Sequence, residues 1–307
     1  MEWGEHVSEG ELQGWTVAVL GGDLRMLEHM RLARLAGAKV QHYGSVPGAE
    51  DASGHSQAAN LADAVKGARI ISCPIPGLGA DDELYAKYTT EKLRLTADVL
   101  KGAAPAAMLF TCYSTPRLDD WATATAVKIV PYGDDDALSI LHAIPTAEGA
   151  IKVAIENTDD TLLGMNVLCF GLGRIGVSVA QAFQGMKSTV SIAARNPVQL
   201  ARAVAMCATP IELSDIKSHI GNFGLIVSST SGRVLGKDLL SLTRPDVLII
   251  DLCSPPGSVD FESAKSLGRR VVWARGQAAR APRRAGQDEW HVLMRILREQ
   301  LPELQHA

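Results

Sequence analysis

Hydrophobic and polar residues alternate along this chain in two kinds of stretch. Short, almost continuously apolar runs are typical of strands buried on both faces, and between them apolar residues recur at helical spacing. This alternation predicts parallel sheets covered by helices. The predicted strands of the first half are Thr16–Leu20, Lys39–Tyr43, Arg69–Pro74, Ala107–Tyr113 and Val127–Pro131. Those of the second half are Asn166–Phe170, Thr189–Ala194, Leu225–Ser229, Val247–Leu252 and Arg270–Trp273. The predicted helices between strands include Leu24–Leu35, Thr90–Lys101, Ile175–Met186, Pro197–Met206 and Gly236–Leu242.

Because the same order of strands and helices occurs twice, the pattern predicts an α/β protein. It would consist of two Rossmann-like, doubly wound parallel-sheet domains joined by a bridging helix. The length of 307 residues also suits two domains of ordinary size. The predicted boundaries are an N-terminal α/β domain over 1–143, the bridging helix over 144–161, a second Rossmann domain over 162–287 and a C-terminal helix over 288–307. Packing of the last helix back across the junction is left open.

The bridging helix is predicted to begin near Pro145, since proline is tolerated in a first helical turn. Apolar residues then recur at helical spacing, at Ala147, Ile151, Ala154 and Ile155. Thr146 and Glu148 would lie in that first turn, beside free N–H groups. An acidic side chain is favourable there on dipole grounds alone, which is the alternative to a functional role for Glu148.

A glycine-rich segment follows the first strand of the second half and precedes a helix. The spacing G-x-G-x-x-G in this context is typical of dinucleotide-binding folds. The segment consists of Gly171, Leu172, Gly173, Arg174, Ile175 and Gly176. The first glycine permits a tight turn, the second lets the backbone approach a diphosphate, and the third lets the helix lie close to the sheet. The sequence therefore predicts a diphosphate site here, with a plain turn as the alternative.

The end of the next strand indicates which nicotinamide cofactor would bind. NAD sites usually have a carboxylate there for the ribose 2′-hydroxyl, but no acidic residue lies between Thr189 and Glu212. Arg195 and Asn196 stand there instead, and a guanidinium suits a 2′-phosphate because its planar fork binds two oxygens. The pair also resembles the turn in NADP sites of shikimate-dehydrogenase-type enzymes. The sequence therefore predicts NADP as the cofactor, with a solvated loop arginine as the alternative.

Two further loops are expected to line the cofactor cleft, because ligands of open α/β sheets bind beyond the carboxyl ends of strands. Ser229 and Thr230 follow one predicted strand, and Asp251 and Cys253 lie at the end of another. A purely structural loop is the alternative for each of these residues.

Composition and charge exclude several other classes of protein. The formal net charge of −4 provides no general attraction to nucleic acid or to an anionic membrane. No stretch approaches the roughly 18 apolar residues that span a bilayer. The segment from Met1 to Glu11 has four glutamates and no apolar run, so we expect no targeting signal and a cytoplasmic location. The five cysteines are widely spaced, which predicts free thiols and no metal site.

The first domain also begins with a strand and a glycine turn, but it lacks the third glycine. A degenerate duplicate that now holds substrate is therefore favoured over a second dinucleotide site. The turn contains Gly21, Gly22, Asp23 and Arg25. Further motifs follow in order at 144–149, 171–176, 194–195, 251–252, 256–257, 260–261 and 285–287. Together these motifs, spread over most of the chain, resemble the dipicolinate synthase A-subunit family.

This resemblance implies an NADP-dependent oxidoreductase (dehydrogenase) that converts dihydrodipicolinate to dipicolinate, pyridine-2,6-dicarboxylate. The reaction would belong to the lysine branch of metabolism and to sporulation. The implied partner is the flavoprotein-like B subunit of dipicolinate synthase, and we also expect a homo-oligomer. The N-terminal domain would bind the small dicarboxylate substrate, and the second domain would bind NADP.

The resemblance also suggests catalytic residues, namely Asp23, Arg25, Thr146 and Glu148. Arg25 would hold a substrate carboxylate, with Arg117 or Lys128 as weaker candidates. Thr146 and the helix start would supply further donors. The candidate general bases are Glu148 and Asp23, together with His142, for which a packed or surface role is the alternative.

Two departures from the family pattern leave the substrate open. Pro255 stands where the family has an arginine in a Ser-Arg-Pro-Gly turn. Residues 263–287 contain six arginines and no acid, which a solvated loop, extra contacts to an anionic ligand or an acidic partner subunit would explain. The alternative functions are an NADP-dependent dehydrogenase of the same fold with a different small acid as substrate, and a non-catalytic dinucleotide-binding subunit.

Overall fold

The computed structural model describes residues 8–46, 56–79, 81–301 and 304. It divides the chain into two compact units, Met1–Leu138 with Ala281–Ala307, and Ser139–Arg280. Residues 1–7 of the acidic N-terminal segment and the last residues of the predicted C-terminal helix lie outside the described residues.

The first unit contains a parallel sheet of six strands. The strands are β1 (Thr16–Leu20), β2 (Lys39–Tyr43), β3 (Ser56–Gln57), β4 (Ile70–Ser72), β5 (Met108–Thr111) and β6 (Lys128–Pro131). The helices are α1 (Arg25–Leu35), α2 (Leu61–Val65), α3 (Ala97–Leu100), α4 (Pro116–Thr125), the start of α5 (Asp136–Asn157), and α10 (Pro282–Gln300). The sheet order β3-β2-β1-β4-β5-β6 reverses direction between β1 and β4, as in doubly wound folds.

The second unit contains a second parallel sheet of six strands. The strands are β7 (Asn166–Phe170), β8 (Thr189–Ala194), β9 (Thr209–Glu212), β10 (Leu225–Ser228), β11 (Leu248–Asp251) and β12 (Arg270–Trp273). The helices, besides most of α5, are α6 (Arg174–Gly185), α7 (Pro197–Ala205), α8 (Lys237–Leu242) and α9 (Phe261–Ser266), and 3₁₀ turns lie at Leu213–Ser218, Ile220–Asn222 and Gln277–Arg280. The sheet order is β12-β11-β10-β7-β8-β9. Two parallel six-stranded sheets with interleaved helices confirm the predicted fold class.

Apolar side chains fill both faces of each sheet. In the first unit, α10 packs against α1 and buries Trp290 in the core of that face. In the second unit, Phe183 of α6 is buried against the strands beneath it. Short polar signals fix the helix starts: Thr115 and Asn196 each accept an N–H of the first turn and precede a proline.

Helix α5 begins at Asp136, earlier than the predicted start at 144, and ends at Asn157. The earlier start has a local cause, since the Asp135 carboxylate accepts the N–H of Leu138 at 3.0 Å and caps the helix. Pro145 therefore lies inside the helix. The prediction that Thr146 and Glu148 sit beside free N–H groups of a first turn is wrong for this reason.

Other elements also differ from prediction. Of the predicted helix over 90–101, only α3 forms, because the preceding segment makes isolated bridges at Leu78–Leu84 and Glu83–Arg94. Two short edge strands, β3 and β9, were not predicted, and β9 contains a proline, which is tolerated at a sheet edge. Helix α10 begins at Pro282 and not at 288.

Helix α5 is long and apolar enough to cross a membrane by length and composition, in contrast to the expectation from the sequence. Nearly half of its most apolar window is buried. Its residues Ala147, Ala150 and Ala154 belong to the core of the second unit. The structure therefore uses this helix to cover one face of that sheet.

Candidate functional site

The glycine-rich segment forms the turn between β7 and α6 in the second unit. Gly171 has a φ of +82°, a left-handed conformation that favours glycine. A Cβ on Gly176 would lie 2.4 Å from the carbonyl oxygen of Gly171, so the helix start can pack this closely only with glycine. A Cβ on Gly173, by contrast, would meet no atom within 4 Å. The turn is therefore closed on the sheet side and open at Gly173.

The start of α6 presents free backbone donors at this opening. Arg174 and Ile175 form its first turn, which contains no acidic side chain, and Gly173 provides no side-chain cap. The N–H groups and the positive end of the helix dipole are therefore available to an anion.

Helix α7 holds the loop from the neighbouring side. The N–H of Leu172 donates to the Gln199 side chain at 3.0 Å. Arg202 donates to the carbonyl oxygen of Leu172 at 3.2 Å. Sequence reasoning missed Gln199 and Arg202, because nothing in the α7 sequence distinguishes them from other polar residues of an amphipathic helix. Leu172 itself is fully buried and positions the turn.

Ser229 and Thr230 lie against the glycine loop. A Cβ on Gly171 would lie 3.2 Å from the Cβ of Thr230, and one on Gly176 would lie 3.1 Å from the Oγ of Ser229. The Cys253 thiol donates to the carbonyl oxygen of Thr230 at 3.1 Å. Predicted residues from the ends of β7, β10 and β11 thus meet at one edge of the sheet.

Asp251 has a different position from the one predicted. Its side chain is completely buried, and its Oδ1 accepts the N–H of Cys253 at 3.0 Å. Its Oδ2 accepts the N–H groups of Ser258 at 2.7 Å and Val259 at 3.2 Å. We therefore correct the assignment of Asp251 to the cofactor: the carboxylate is enclosed and engaged by backbone donors, and it shapes the turn that carries Cys253.

Arg195 is exposed in the turn between β8 and α7. Within the described part of the chain, no carboxylate forms an ion pair with it. Asn196 caps α7, since its Oδ1 accepts the N–H of Val198 at 2.8 Å. The guanidinium of Arg195 is thus available to an anion, whereas Asn196 sets the start of the helix behind it.

The predicted residues of the bridging helix are engaged within the second unit. The Oγ1 of Thr146 donates to the carbonyl oxygen of His142 at 2.7 Å, so Thr146 does not offer the free donor that was predicted. Glu148 forms an ion pair with Arg280, although its side chain is 60% exposed. Arg280, from the arginine-rich segment, also donates to the carbonyl oxygen of Pro145 at 3.2 Å. One arginine of that segment therefore docks on α5.

In the first unit, Arg25 is the centre of a buried ionic cluster, which we call the Arg25 cluster (Asp23, Arg25, His29, Ser72 and Glu289). Arg25 donates to both carboxylate oxygens of Asp23, at 2.9 and 3.0 Å, and to Glu289 at 2.7 Å. It also donates to the carbonyl oxygen of Ile75 at 2.8 Å. Burial alone lowers the pKa of Arg25, but Glu289 and Asp23 raise that pKa above its ordinary value.

The Arg25 cluster corrects two predicted roles. Arg25 was expected to clamp a substrate carboxylate, yet its guanidinium already holds two carboxylates of this chain. Asp23 was expected as a general base, yet both of its oxygens accept from Arg25. Sequence reasoning missed His29, whose ring lies 2.8 Å from the Oγ of Ser72 and 3.3 Å from the carboxylate of Glu289.

The glycine turn of the first unit is closed by its own chain. The N–H of Gly22 donates to the carbonyl oxygen of Tyr85 at 2.7 Å, and that of Gly21 donates to Tyr43 at 2.8 Å. A Cβ on Gly22 would lie 2.3 Å from the side chain of Met26. With these donors engaged and this space filled, the turn lacks the free N–H groups that a diphosphate needs.

The weaker carboxylate clamps separate clearly. Lys128 is the first residue of β6, so it lies at the amino edge of the parallel sheet, away from the edge where ligands bind. Arg117 lies in the first turn of α4, after the carboxyl end of β5, and forms an ion pair with Asp82. Arg117, Asp82 and Arg94 line a cavity of about 340 Å³.

The cysteines differ strongly in exposure, which leads to a labelling prediction. All five are free thiols, and Cys207 is the exposed one. Burial raises the pKa of the others, to about 12 for Cys73, Cys169 and Cys253 and to about 11 for Cys112. A thiol-reactive reagent at neutral pH should therefore label one thiol rapidly in the folded chain. Cys207→Ser should abolish the rapid phase, and a second rapid thiol would contradict this account.

The two parallel sheets and the glycine turn at the carboxyl edge of the second define a protein with the Rossmann-like dehydrogenase fold. A solved structure of L-alanine dehydrogenase shares this fold with a TM-score of 0.61 and 14% identity, covering 94% of this chain and 93% of that chain.

Within this class, the A subunit of dipicolinate synthase from Bacillus subtilis is 30% identical over 94% of this chain and 97% of its own length. The chain therefore belongs to the dipicolinate synthase A-subunit family. Residues 16–133 match the N-terminal domain that defines this family. The crystal structure of dipicolinate synthase, A chain, from Bacillus subtilis has a TM-score of 0.84 and 29% identity, covering 97% of this chain and 99% of that chain.

Proposed function

We propose that this chain is an NADP-dependent oxidoreductase that converts dihydrodipicolinate to dipicolinate. A hydride would move from the dihydropyridine ring to the nicotinamide and a proton would leave, so that the ring becomes aromatic and NADP⁺ becomes NADPH. The observation that carries the proposal is 30% identity to the Bacillus subtilis dipicolinate synthase polypeptide over nearly the full length of both chains. Since aromatisation favours the product, the protein mainly has to hold and orient the reactants.

The geometry of the second unit supports the cofactor part of this proposal. The open turn at Gly173 and the free donors of α6 suit a diphosphate. Arg195, with no carboxylate partner in the described part of the chain, suits the 2′-phosphate of NADP. Ser229, Thr230 and Cys253 would then line the nicotinamide side.

The substrate and the partner are further parts of the proposal. A small dicarboxylate would bind in the first unit, where Arg117 would exchange its ion pair with Asp82 for a substrate carboxylate. The Bacillus subtilis relative is named as one subunit of dipicolinate synthase, which supports a second polypeptide. We propose that this polypeptide is the flavoprotein-like B subunit of the synthase. We further propose a homo-oligomer in the cytoplasm of a sporulating cell.

The direct test uses the purified full-length chain, alone and with its candidate partner subunit. Freshly made dihydrodipicolinate and NADP⁺ should yield dipicolinate, detected by mass spectrometry, together with the absorbance of NADPH. NAD⁺ serves as the comparison cofactor. Absence of both products in the presence of the partner subunit would overturn the proposed reaction.

Glu148 provides the test of acid–base catalysis, because it is the predicted base with an exposed carboxylate. Glu148→Gln should lower kcat by about a hundredfold or more if this carboxylate takes the proton. Arg280→Gln is the matched control, since it removes the same ion pair but keeps the carboxylate, and kcat should stay within a few-fold of the parent. Equal, small effects of both variants would show that the pair has only a structural role.

One observation favours a second candidate function, a non-catalytic dinucleotide-binding subunit. Asp23, Arg25 and Glu148, all predicted for catalysis, are engaged in ion pairs within the chain. This candidate predicts NADP binding without turnover by the chain alone, and an unchanged rate of the complex when Glu148 is replaced by glutamine.

A further inference from the structure

A cavity of about 520 Å³ opens beside Arg195 in the second unit. Three segments line it: the turn after β8, the 3₁₀ turn Leu213–Ser218 after β9, and residues 231–239 between β10 and the middle of α8. Four of the lining residues are cationic and one is acidic. The cations are Arg195, Lys217, Arg233 and Lys237, and the acid is Asp238.

These cations are not neutralised within the described part of the chain. None of the four forms an ion pair with a described carboxylate. Like charges that converge from three segments repel one another, and this repulsion is relieved when an anion binds between them. The hydroxyl groups of Ser214 and Ser231 also line the cavity and can donate to such an anion.

The position of the cavity indicates which anion would bind. Its lining residue Ser231 directly follows Thr230, whose side chain lies against Gly171 of the glycine turn. Arg195 ends the strand next to β7. The cavity thus lies on the β8 side of the proposed diphosphate site, where a Rossmann fold places the adenosine ribose.

We infer that Lys217, Arg233 and Lys237 bind the 2′-phosphate of the adenosine ribose together with Arg195. This inference rests on the proposed binding of a nicotinamide dinucleotide. A phosphate monoester carries about −1.5 to −2 charges at neutral pH, so more than one cation can contribute. Selectivity for NADP over NAD is then shared by residues from three segments, and the loss of Arg195 alone removes only part of it.

The test measures binding by calorimetry with the full-length chain, so that it does not depend on turnover. The ligands are NADP⁺, NAD⁺, 2′,5′-ADP and 5′-AMP. The double variant Lys217→Gln, Arg233→Gln should weaken binding of NADP⁺ and 2′,5′-ADP by at least about tenfold. Binding of NAD⁺ and 5′-AMP should change by less than about twofold, because these ligands lack the 2′-phosphate.

Lys187→Gln is the matched control, since Lys187 is an exposed cation of the same unit that precedes β8 at the amino edge of the sheet. It should leave all four affinities unchanged. Equal affinity of the parent chain for NADP⁺ and NAD⁺, or a double variant that still prefers NADP⁺ as strongly as the parent, would overturn this inference and leave dinucleotide binding intact. Binding of none of the four ligands would overturn the proposed cofactor as well.

Discussion

Replacing Arg25 with methionine is expected to lower the free energy of unfolding by about 3–5 kcal/mol. Glu289 is completely buried and the side chain of Asp23 is 8% exposed, so the substitution leaves two carboxylates without their cation and away from water. Urea denaturation of the purified chain measures the change. A carboxylate clamp would behave differently, because its loss would weaken substrate binding and leave the stability nearly unchanged.

Two further variants make this test specific. Arg31→Met removes an ion pair with Glu28 on the same helix, but Arg31 is 38% exposed, so we expect a change within about 1 kcal/mol. Adding Glu289→Gln to Arg25→Met removes one of the stranded charges and should restore part of the lost stability. If Arg25→Met is as stable as Arg31→Met, the Arg25 cluster does not have the structural role assigned to it.

The Arg25 cluster also connects two motifs from opposite ends of the sequence. The Gly-Gly-Asp-x-Arg segment ends β1, and the Ala-Gly-Gln segment lies in α10. A Cβ on Gly286 would lie 2.5 Å from the carbonyl oxygen of Arg25, so α10 approaches α1 this closely only with glycine there. Gln287 donates to Glu28 at 3.3 Å. The two motifs therefore form one packed contact in the first unit.

The strands could be predicted accurately because their signal is local. The bounds of β1, β2, β7, β8 and β12 agree with the apolar runs residue for residue. The glycine turn at 171–176 was equally accessible, since its neighbours in sequence are also its neighbours in space. The start of α5 was missed, although the capping residue Asp135 was present, because Pro145 resembled a first-turn proline and received more weight.

The partners of the charged residues could not be predicted from local pattern. Arg25 and Glu289 are 264 positions apart, and no spacing rule relates them. Asp251 follows a buried strand, which is where a ligand-binding carboxylate is expected, but the turn after it folds back and fills its hydrogen-bonding capacity. A polar residue at a strand end can serve either the ligand or the loop, and only the path of the loop distinguishes these roles.

Gly173→Asp is expected to change nucleotide affinity and folding stability in opposite directions. Gly173 is the N-cap of α6, with φ −83° and ψ −159°, an extended conformation that any residue adopts. A Cβ there meets no atom within 4 Å. Aspartate is a favoured N-cap, so the free energy of unfolding should stay the same or rise by roughly a few tenths of a kcal/mol.

The NADP dissociation constant of the same variant should rise by about a hundredfold or more, equivalent to about 2.8 kcal/mol. The new carboxylate occupies the first-turn N–H groups and adds a negative charge where the diphosphate would bind. Calorimetric titration and urea denaturation of one preparation measure both quantities. Gly185→Ala is the control, because Gly185 ends the same helix and a Cβ there also meets no atom within 4 Å. It should leave the affinity unchanged.

The opposite signs distinguish this outcome from damage to the fold. A misfolded variant would lose affinity and stability together, whereas an occupied anion site loses affinity in a domain that is at least as stable as the parent. Unchanged NADP affinity in Gly173→Asp would mean that the diphosphate does not bind at the start of α6. The arrangement of Arg195, Ser229 and Thr230 around that turn would then need another explanation.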